Sequence, residues 1–430
     1  MLTINDWQNL SLEEKQQKLR RPEQTNTFKR QVEDIISAVK NRGDEALFAF
    51  SREFDSVELT SLQVPTATIR KAKISAKAMS AIEEAIKTIS HYHQAMMPEA
   101  KQINTTEGIQ IRRIYRPISK VGLYVPGGNN TPLVSSLLML AIPAQIAGCP
   151  LRVLCTPPNA QGVIDPHLLV AARLCEIDTI YQIGGAQAIA AMAYGTESIP
   201  KVDKLFGPGN SYVTEAKKQV AADPLGAAID MPAGPSELMI VADKEANPAF
   251  VAADLLAQAE HGVDSQVLLI CENRAFADKV NQQLNEQLVS LSRQTIIQQA
   301  LKHSSVLICT DSGEQLNIIN SYAPEHLIIN RVDAAALVPH IAAAGTIFLG
   351  QWSAETMGDY LTGSNHVLPT NGYARTHSGL GTLDFLKALS VQTLNKKGLE
   401  TLGEAAQTLA LIEGLDAHAN AVKLRLNQES

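Results

Sequence analysis

Several features of membrane, secreted and nucleic-acid-binding proteins are missing from this sequence. The longest apolar run, Leu133 to Ala147, contains Pro143 and Gln145 and is too short to cross a bilayer. The first ten residues include Asp6 and lack an apolar core, so no secretory signal is predicted. The net charge is -7 and no basic cluster stands out, which argues against nucleic acid as a partner. These absences favour a cytoplasmic protein that binds neither membrane nor nucleic acid.

Cysteine is scarce, and none of it is arranged for metal binding. The 430 residues include five cysteines, with no Cys-x-x-Cys pair. All five lie in apolar settings, so we expect buried, reduced thiols that pack as small hydrophobic side chains. They are Cys149, Cys155, Cys175, Cys271 and Cys309.

No complete nucleotide-binding motif is present either. Glycine-rich turns follow predicted strands at Gly127-Gly128, Gly184-Gly185 and Gly207-Pro208-Gly209, and such turns let the backbone approach a phosphate at a helix N-terminus. The third turn lacks the last glycine of the dinucleotide fingerprint, because Tyr212 stands there, and there is no P-loop. From spacing alone, nucleotide binding and plain tight turns both remain open.

The length and the order of the predicted elements indicate an α/β protein with more than one unit. A chain of 430 residues is too long for one ordinary core, and 45% apolar and 19% charged residues are typical of globular proteins. From Lys120 onward, predicted strands and helices alternate, which predicts mainly parallel sheets covered on both faces. The alternation restarts after a break near Met231 to Ser236, so we expect two α/β units that bind ligands beyond their strand ends or in the cleft between them.

Two pairs of polar residues are candidates for chemistry. Gln258 and His261 are three residues apart at the end of a predicted helix that Gly262 is expected to stop, so both side chains should share a face, as in half of a metal site. Glu325 and His326 lead into an apolar strand, and a carboxylate beside an imidazole suits proton transfer. The residues alone leave two plainer alternatives open: a capped helix end for the first pair and a surface loop for the second.

A wider set of nitrogen and oxygen ligands is a further hypothesis. Gln258, His261, Asp359 and His418 together would make a borderline site for which zinc is the default ion. Glutamine is an unusual ligand, and the alternative for Asp359 is that it caps a helix or a turn. The residues by themselves therefore indicate a two-unit α/β enzyme and leave its metal dependence open.

Taken together, these stretches resemble the histidinol dehydrogenases. The matching segments keep the family order from about Lys120 to His418, and the N-terminal helices match in character only. The segments are 121–128, Gly184 to Ile189, Gly207 to Asn210, Pro235-Ser236-Glu237, Ala257 to Gly262, Ala323 to Leu327, Gly358-Asp359-Tyr360, Asn365 to Thr370 and Glu413 to His418.

The resemblance implies an architecture as well as an activity. It implies two incomplete Rossmann-like units with parallel sheets, one inserted in the other, small helical N- and C-terminal domains, and a homodimer. The implied ranges are an N-terminal helical segment at 1–23, a metal-carrying and catalytic α/β domain at 24–119 and 237–380, an inserted NAD-contacting domain at 120–236, and a helical tail at 381–430 that contributes to the partner subunit's site.

The implied activity is the zinc- and NAD-dependent four-electron oxidation of L-histidinol to L-histidine through L-histidinaldehyde, the last step of histidine biosynthesis, with one zinc ion per subunit. By resemblance, the zinc ligands are Gln258, His261, Asp359 and His418. The NAD-contacting positions are Tyr124, Gln187 and Asn210. Ser236, His326, Glu413 and the zinc ligands bind the substrate, and Glu325 and His326 form the catalytic pair.

The chemistry agrees with these roles. The imidazole and the amine of histidinol are good zinc ligands, and His326 is suited to take the alcohol proton as hydride leaves. The aldehyde must then become a hydrate, for which Glu325 is a candidate base; five core cysteines favour this route over a cysteine nucleophile. Two other readings are a solute-binding protein whose lobes close on a ligand, which the absent signal and the Glu-His pairs disfavour, and a dehydrogenase of another amino alcohol.

Overall fold

The computed structural model describes residues 1–22, 28–127, 131–232 and 234–428. Gly128, the second glycine of the first predicted turn, lies outside these ranges. The described strands are β1 (Thr3–Asp6), β2 (Lys101–Thr106), β3 (Ile109–Pro117), β4 (Lys120–Tyr124), β5 (Leu151–Thr156), β6 (Ile180–Gln182), β7 (Lys204–Phe206), β8 (Ala228–Ile229), β9 (Glu237–Ala242), β10 (Gln266–Cys271), β11 (Ser305–Ile308), β12 (His326–Asn330), β13 (Thr346–Leu349) and β14 (Leu386–Leu394).

The helices alternate with these strands through most of the chain. The α-helices are α1 (Leu12–Lys18), α2 (Phe28–Arg42), α3 (Asp44–Phe54), α4 (Thr66–Lys71), α5 (Ala76–Ala95), α6 (Val134–Ile146), α7 (Pro166–Leu174), α8 (Gly185–Tyr194), α9 (Ser211–Ala222), α10 (Pro248–Ala259), α11 (Arg274–Leu288), α12 (Gln294–Ala300), α13 (Ser312–Tyr322), α14 (Ala334–Leu337), α15 (Glu355–Tyr360), α16 (Lys396–Ile412) and α17 (Asp416–Leu426). Short 3-10 helices span Trp7–Asn9, Leu301–His303, Val338–His340, Tyr373–Arg375 and Thr382–Phe385.

The larger sheet has six parallel strands in the order β1-β11-β10-β9-β12-β13. Every residue of the central strands β9 and β10 is buried, and apolar clusters cover both faces of the sheet. Such nearly continuous apolar strands are what a parallel sheet needs when helices lie on both sides. The predicted α/β class with parallel sheets is confirmed.

The smaller sheet has five parallel strands in the order β6-β5-β4-β7-β8. In both sheets the chain first winds outward in one direction, through β4-β5-β6 or β9-β10-β11. It then returns to the other side of the starting strand. In such sheets, ligands usually bind where the direction of winding changes, at the carboxyl ends of the strands.

The two sheets meet through a short connection. Strand β8 ends at Ile229 on the carboxyl edge of the smaller sheet, and β9 begins at Glu237 on the amino edge of the larger one. The intervening residues, 230–236, can span no more than about 25 Å. At this connection, the carboxyl edge of the smaller sheet and the amino edge of the larger one are therefore no more than about 25 Å apart.

The helices that precede the smaller sheet pack on it. Helix α2 contacts α8 and α9, α4 contacts α7, and α5 contacts α6. The buried apolar face of α2, at Val32, Ile35, Ile36 and Val39, joins the same apolar cluster as α8. The apolar faces of these helices are completed by helices of the segment 120–236, and the grouping of 24–119 with 237–380 in one domain stays a prediction.

Both ends of the chain contain a strand where the sequence predicted only helix. Strand β1 extends the larger sheet beside β11, and β14 pairs antiparallel with β3 in a three-stranded sheet of order β14-β3-β2. The purely helical description of residues 1–23 and 381–430 is therefore wrong at these two strands. Their pairing partners are distant in sequence, so the tertiary contact decides their conformation rather than local propensity.

Other expectations hold where the structure describes them. All five cysteines are buried free thiols, and burial raises the pKa of Cys149 to about 11 and that of Cys175 to about 12. Among the described helices, none combines the length and the apolar character that crossing a bilayer requires.

Candidate active site

The candidate site lies at the amino edge of the larger sheet. Glu237 is the first residue of β9, His326 is the first residue of β12, and these two strands are neighbours in the sheet. Helix α10 connects β9 to β10, so its C-terminal end, with Gln258 and His261, returns to the same edge. The winding of the chain thus gathers polar groups from β9, β12 and α10 at one place.

The main chain of Glu237 holds both members of the predicted catalytic pair. Its N–H donates to Oε2 of Glu325 at 2.8 Å, and its carbonyl oxygen lies 3.2 Å from Nδ1 of His326. A carbonyl oxygen only accepts, so Nδ1 carries a proton and Nε2 is the nitrogen left for proton transfer. Glu325 Oε2 lies 3.5 Å from Nδ1 of His326, and both side chains are buried.

Two carboxylates of α15 complete the surroundings of His326. Glu355 and Asp359 are four residues apart and share a helix face, with Glu355 Oε1 at 3.8 Å from Nδ1 and Asp359 Oδ1 at 3.8 Å from Nε2. Burial alone would lower the pKa of His326, but the charges of Glu325, Glu355 and Asp359 outweigh it and raise this pKa. Burial raises the pKa of Glu355, although His326 opposes this shift.

A cation fits the unsatisfied groups at this edge. Within the described ranges, one group of three His, Cys, Asp or Glu side chains brings its ligand atoms within 4.8 Å of one another: His326, Glu355 and Asp359. Both amide atoms of Gln258 are buried without a hydrogen-bond partner. Burying an amide without a hydrogen-bond partner destabilises the folded state. Coordination of a metal ion by the side-chain oxygen of Gln258 would offset part of this loss.

The predicted metal ligands are only partly brought together within one chain. Helix α10 packs against α15. The charges of Asp359, His326 and His261 all influence the pKa of His366, which agrees with a location of these groups in one region. Helix α10 ends at Ala259, so His261 lies just beyond the helix rather than on its face, and Gly262 lacks the positive φ of a glycine C-cap.

The predicted residues of the C-terminal tail are not part of this cluster. Glu413 and His418 are exposed, on or between helices α16 and α17, which pack on each other. Ser236 directly precedes Glu237, and its carbonyl accepts from the Gln266 N–H at 3.2 Å. The single chain therefore presents part of the expected substrate site and leaves the tail residues facing outward.

The predicted NAD-contacting residues lie at the carboxyl edge of the smaller sheet. Tyr124 ends β4, and its hydroxyl accepts from the Gly185 N–H at 3.0 Å, where α8 begins. Gln187 is in the first turn of α8, and Asn210 caps α9 by accepting from the Val213 N–H at 3.1 Å. These three residues surround the ends of β4, β6 and β7, and the change of winding lies between β4 and β7.

Three residues of the site were missed by the sequence analysis. Glu355 precedes Asp359 by one helical turn, and that spacing was a usable signal. His366 holds its Nδ1 at 2.8 Å from the carbonyl oxygen of Asp359, and it lies in a matching segment without having been assigned a role. Arg21 contacts Glu237 from the N-terminal segment, and no local pattern points to a partner 216 residues away.

Fold and site together define a class of protein. A short connection joins two parallel α/β units, with helix N-termini at the carboxyl edge of one and a largely buried carboxylate–imidazole cluster and an unsatisfied amide at the amino edge of the other. This arrangement is typical of an enzyme that combines a cofactor on one unit with a substrate on the other.

Comparisons with known proteins identify the family. The model of the histidinol dehydrogenase family matches residues 18–426. A histidinol dehydrogenase of Legionella pneumophila (strain Lens) is 64% identical over 99% of each chain, and one of Vibrio parahaemolyticus is 48% identical over 98% of each. A crystal structure of histidinol dehydrogenase from Elizabethkingia anophelis superposes with a TM-score of 0.94 at 42% identity, covering 99% of this chain and 98% of that one. The chain belongs to the histidinol dehydrogenase family and is an oxidoreductase, so the alternative of a solute-binding protein is wrong.

Proposed function

We propose that this enzyme oxidises L-histidinol to L-histidine through L-histidinaldehyde, with two molecules of NAD and one bound zinc ion. The observation that carries the proposal is the cluster of the buried Glu325, His326 and Glu355 with the partly buried Asp359 in a chain of this family. Its imidazole has one nitrogen fixed by a carbonyl and the other facing the candidate metal ligand. That is the arrangement that a proton acceptor beside a bound alcohol needs.

The residues that would hold zinc are Gln258, His261, Asp359 and the partner's His418. The unsatisfied amide of Gln258 supports its part in this set. When bound, zinc would hold the imidazole and amine of the substrate and, by neutralising Asp359, withdraw part of the charge that keeps His326 protonated.

NAD is proposed to bind at the carboxyl edge of the smaller, Rossmann-like sheet. Helices α8 and α9 begin at this edge, and backbone N–H groups at helix N-termini attract phosphate. Tyr124, Gln187 and Asn210 lie at these turns. The short connection 230–236 limits the distance between this edge and the start of β9, which supports a nicotinamide ring that faces the substrate.

The two oxidations need two different proton transfers. In the first, the alcohol carbon gives a hydride to NAD and the alcohol proton passes to Nε2 of His326, which yields the aldehyde. In the second, water adds to the aldehyde carbon as Glu325 removes a water proton, which leaves the former aldehyde oxygen as the alkoxide of the hydrate. This hydrate anion gives a hydride to a second NAD, which yields the carboxylic acid. Ser236 and the partner's Glu413 are proposed to hold the substrate.

A homodimer with shared sites is part of the proposal. Helix α16 and the turn after it expose a row of large apolar side chains, among them Leu409, Leu411 and Ile412, the last of which is 76% exposed. Exposed apolar groups of this extent on a two-helix tail mark an interaction surface. A second copy of the chain that covers this surface would also receive Glu413 and His418.

The test is the reduction of NAD with L-histidinol as the substrate, before and after treatment with a chelator. Two NADH per histidinol, loss of turnover on chelation and recovery with zinc are expected. Another amino alcohol oxidised in preference to histidinol would reject the substrate, and full turnover by metal-free protein would reject the zinc.

A further inference from the structure

The side chain of Glu237 is as firmly held as its main chain. It is 2% exposed, and its carboxylate makes a two-pronged contact with the Arg21 guanidinium, in which Nη2 donates to Oε2 at 2.8 Å and Nε donates to Oε1. The Asn371 N–H donates to the same Oε1 at 2.7 Å. The residue whose main chain fixes Glu325 and His326 is therefore itself fixed by an arginine from the beginning of the chain.

The same guanidinium also holds the segment that leads into the catalytic pair. Its Nη2 donates to the carbonyl oxygens of Tyr322 at 2.8 Å and Ala323 at 3.4 Å, and the guanidinium lies 4.0 Å from the centre of the Tyr322 ring. Ala323 has a φ of +54°, a left-handed conformation that is unfavourable for a residue with a side chain. Hydrogen bonds to its carbonyl help to keep the chain in this turn, two residues before Glu325.

We propose that Arg21 is a positioning residue for the reaction, because its guanidinium ties together the two backbone segments between which Glu325 and His326 are held. One segment is the start of β9 at Glu237, and the other is the turn at Ala323 that leads into β12. The inference rests on the proposed roles of Glu325 and His326. Within the described residues, the hydrogen bonds of Arg21 go to Glu237, Tyr322 and Ala323, so its role is to act through the geometry of this pair.

The shape of the arginine side chain is essential to this role. A guanidinium presents several N–H groups in a rigid plane, so it can serve a carboxylate and two carbonyls together, whereas an ammonium on a flexible stem cannot. Removing the guanidinium would also leave the buried Glu237 carboxylate without its counter-charge beside Glu325. Both effects would loosen Glu237 and widen the range of positions open to the His326 ring.

Steady-state kinetics of the full-length enzyme test the role of Arg21. Arg21→Met is expected to lower kcat about 10- to 100-fold, because a displacement of the catalytic groups by about 1 Å has an effect of this size. The KM values for histidinol and NAD and the bound zinc content should change less than about threefold. Arg21→Lys, which keeps the charge and loses the fork, should lie between Arg21→Met and wild type.

Arg375 offers a matched control. It is an exposed arginine that donates to the carbonyl of Ser321 at the same helix end and does not contact Glu237. Arg375→Met should keep kcat within about twofold. Millimolar guanidinium should restore part of the kcat of Arg21→Met and leave that of Arg375→Met unchanged. An unchanged kcat in Arg21→Met, or a fall that follows a loss of zinc, would overturn the proposal.

A second measurement does not depend on turnover. In protein with ¹⁵N-labelled histidine, the Nδ1–H resonance of His326, assigned by its loss in His326→Asn, should shift or broaden in Arg21→Met and stay in place in Arg375→Met. The same resonance in both variants would reject the positioning role even if the enzyme acts on another substrate. If wild-type enzyme does not oxidise histidinol while the resonance responds to Arg21, the proposed function fails and the positioning role stands.

Discussion

At the scale of single residues, neighbouring positions in the chain have different surroundings. Glu325 accepts a hydrogen bond from the Glu237 N–H, whereas His326 faces three carboxylates and has its Nδ1 fixed by a carbonyl. Because Glu325 is held by one N–H and His326 is surrounded by negative charge, the two bases are suited to different steps of the reaction. This asymmetry is the basis for assigning water activation to Glu325 and alcohol deprotonation to His326.

Glu325→Gln tests this division of labour. The amide keeps the size of the side chain and cannot take a proton from water. We expect oxidation of histidinaldehyde to fall at least about 100-fold, because a general base contributes 100- to 10,000-fold, while the first hydride transfer falls less than about tenfold. Single-turnover reactions started with histidinol and with histidinaldehyde measure the two steps separately.

His326→Asn is the companion variant for this measurement, since it should impair both steps. Equal losses of the two steps in Glu325→Gln would contradict the assignment of Glu325 to water activation.

Some residues of the site could be predicted from the sequence, and others could not. Glu325 and His326 are adjacent at the start of a strand, and their joint burial at the sheet edge agrees with the interpretation of the pair. Glu355 and Arg21 were not predicted. A lone glutamate in a short helix resembles a capping residue, and the partner of an arginine is visible only when distant segments have been packed together.

At the scale of elements, the turn after β7 is held by a buried ion pair. Nζ of Lys217 lies 2.5 Å from Asp230 Oδ1 and donates to the Gly207 carbonyl at 2.8 Å, while the Gly207 N–H donates to Asp230 Oδ2 at 2.8 Å. Gly207 has a φ of +121°, and a Cβ there would lie 2.1 Å from the Tyr124 carbonyl oxygen. The pair therefore fixes the glycine turn that leads to Asn210.

Asp230→Asn should weaken NAD binding through this turn. The substitution leaves the Lys217 ammonium buried without its counter-charge, which should lower the free energy of unfolding by about 3 kcal/mol. We expect the KM for NAD to rise about tenfold and the KM for histidinol to change less than about threefold. Thermal unfolding and steady-state kinetics with each substrate varied in turn measure these effects.

Asp203→Asn is the control for this variant. Asp203 is an exposed carboxylate of the same unit that accepts from the Lys120 N–H at 3.1 Å, so its replacement should leave both KM values unchanged. A loss of stability in Asp230→Asn with an unchanged KM for NAD would show that NAD binding does not depend on the ion pair that holds this turn.

The elements show which parts of the fold the sequence could predict. Buried parallel strands such as β9 and β10 have continuous apolar runs, and their prediction is confirmed. Strand β14 was expected to be helical, because most of its residues are exposed and its pairing with β3 joins positions about 270 residues apart in sequence. The edge of the sheet used by the site also follows from the path of the whole chain rather than from local pattern.

At the scale of the whole molecule, the contacts within a single chain do not account for the exposed apolar side chains of the C-terminal tail, helices α16 and α17. Helices α16 and α17 pack on each other and expose large apolar side chains, including Leu402, Leu409 and Leu424. A two-helix hairpin of this size cannot bury these groups by itself. In the proposed homodimer a second copy of the chain would cover these groups, and the proposed roles of Glu413 and His418 require that this copy be the one whose site they complete.

Mixed dimers test whether each site is built from two chains. His261→Ala and His418→Ala should each be inactive alone. If the tail serves the partner's site, a dimer of one chain of each kind has one doubly damaged site and one intact site. Because random assembly of equal amounts makes half of the dimers mixed, about a quarter of wild-type activity should return by this symmetry.

The measurement is NAD reduction after co-expression, with two affinity tags to isolate the mixed dimers, in which about half of wild-type activity is expected. If the tail instead serves its own chain, every site keeps one lesion, and isolated mixed dimers without activity would show that the site is contained in one chain.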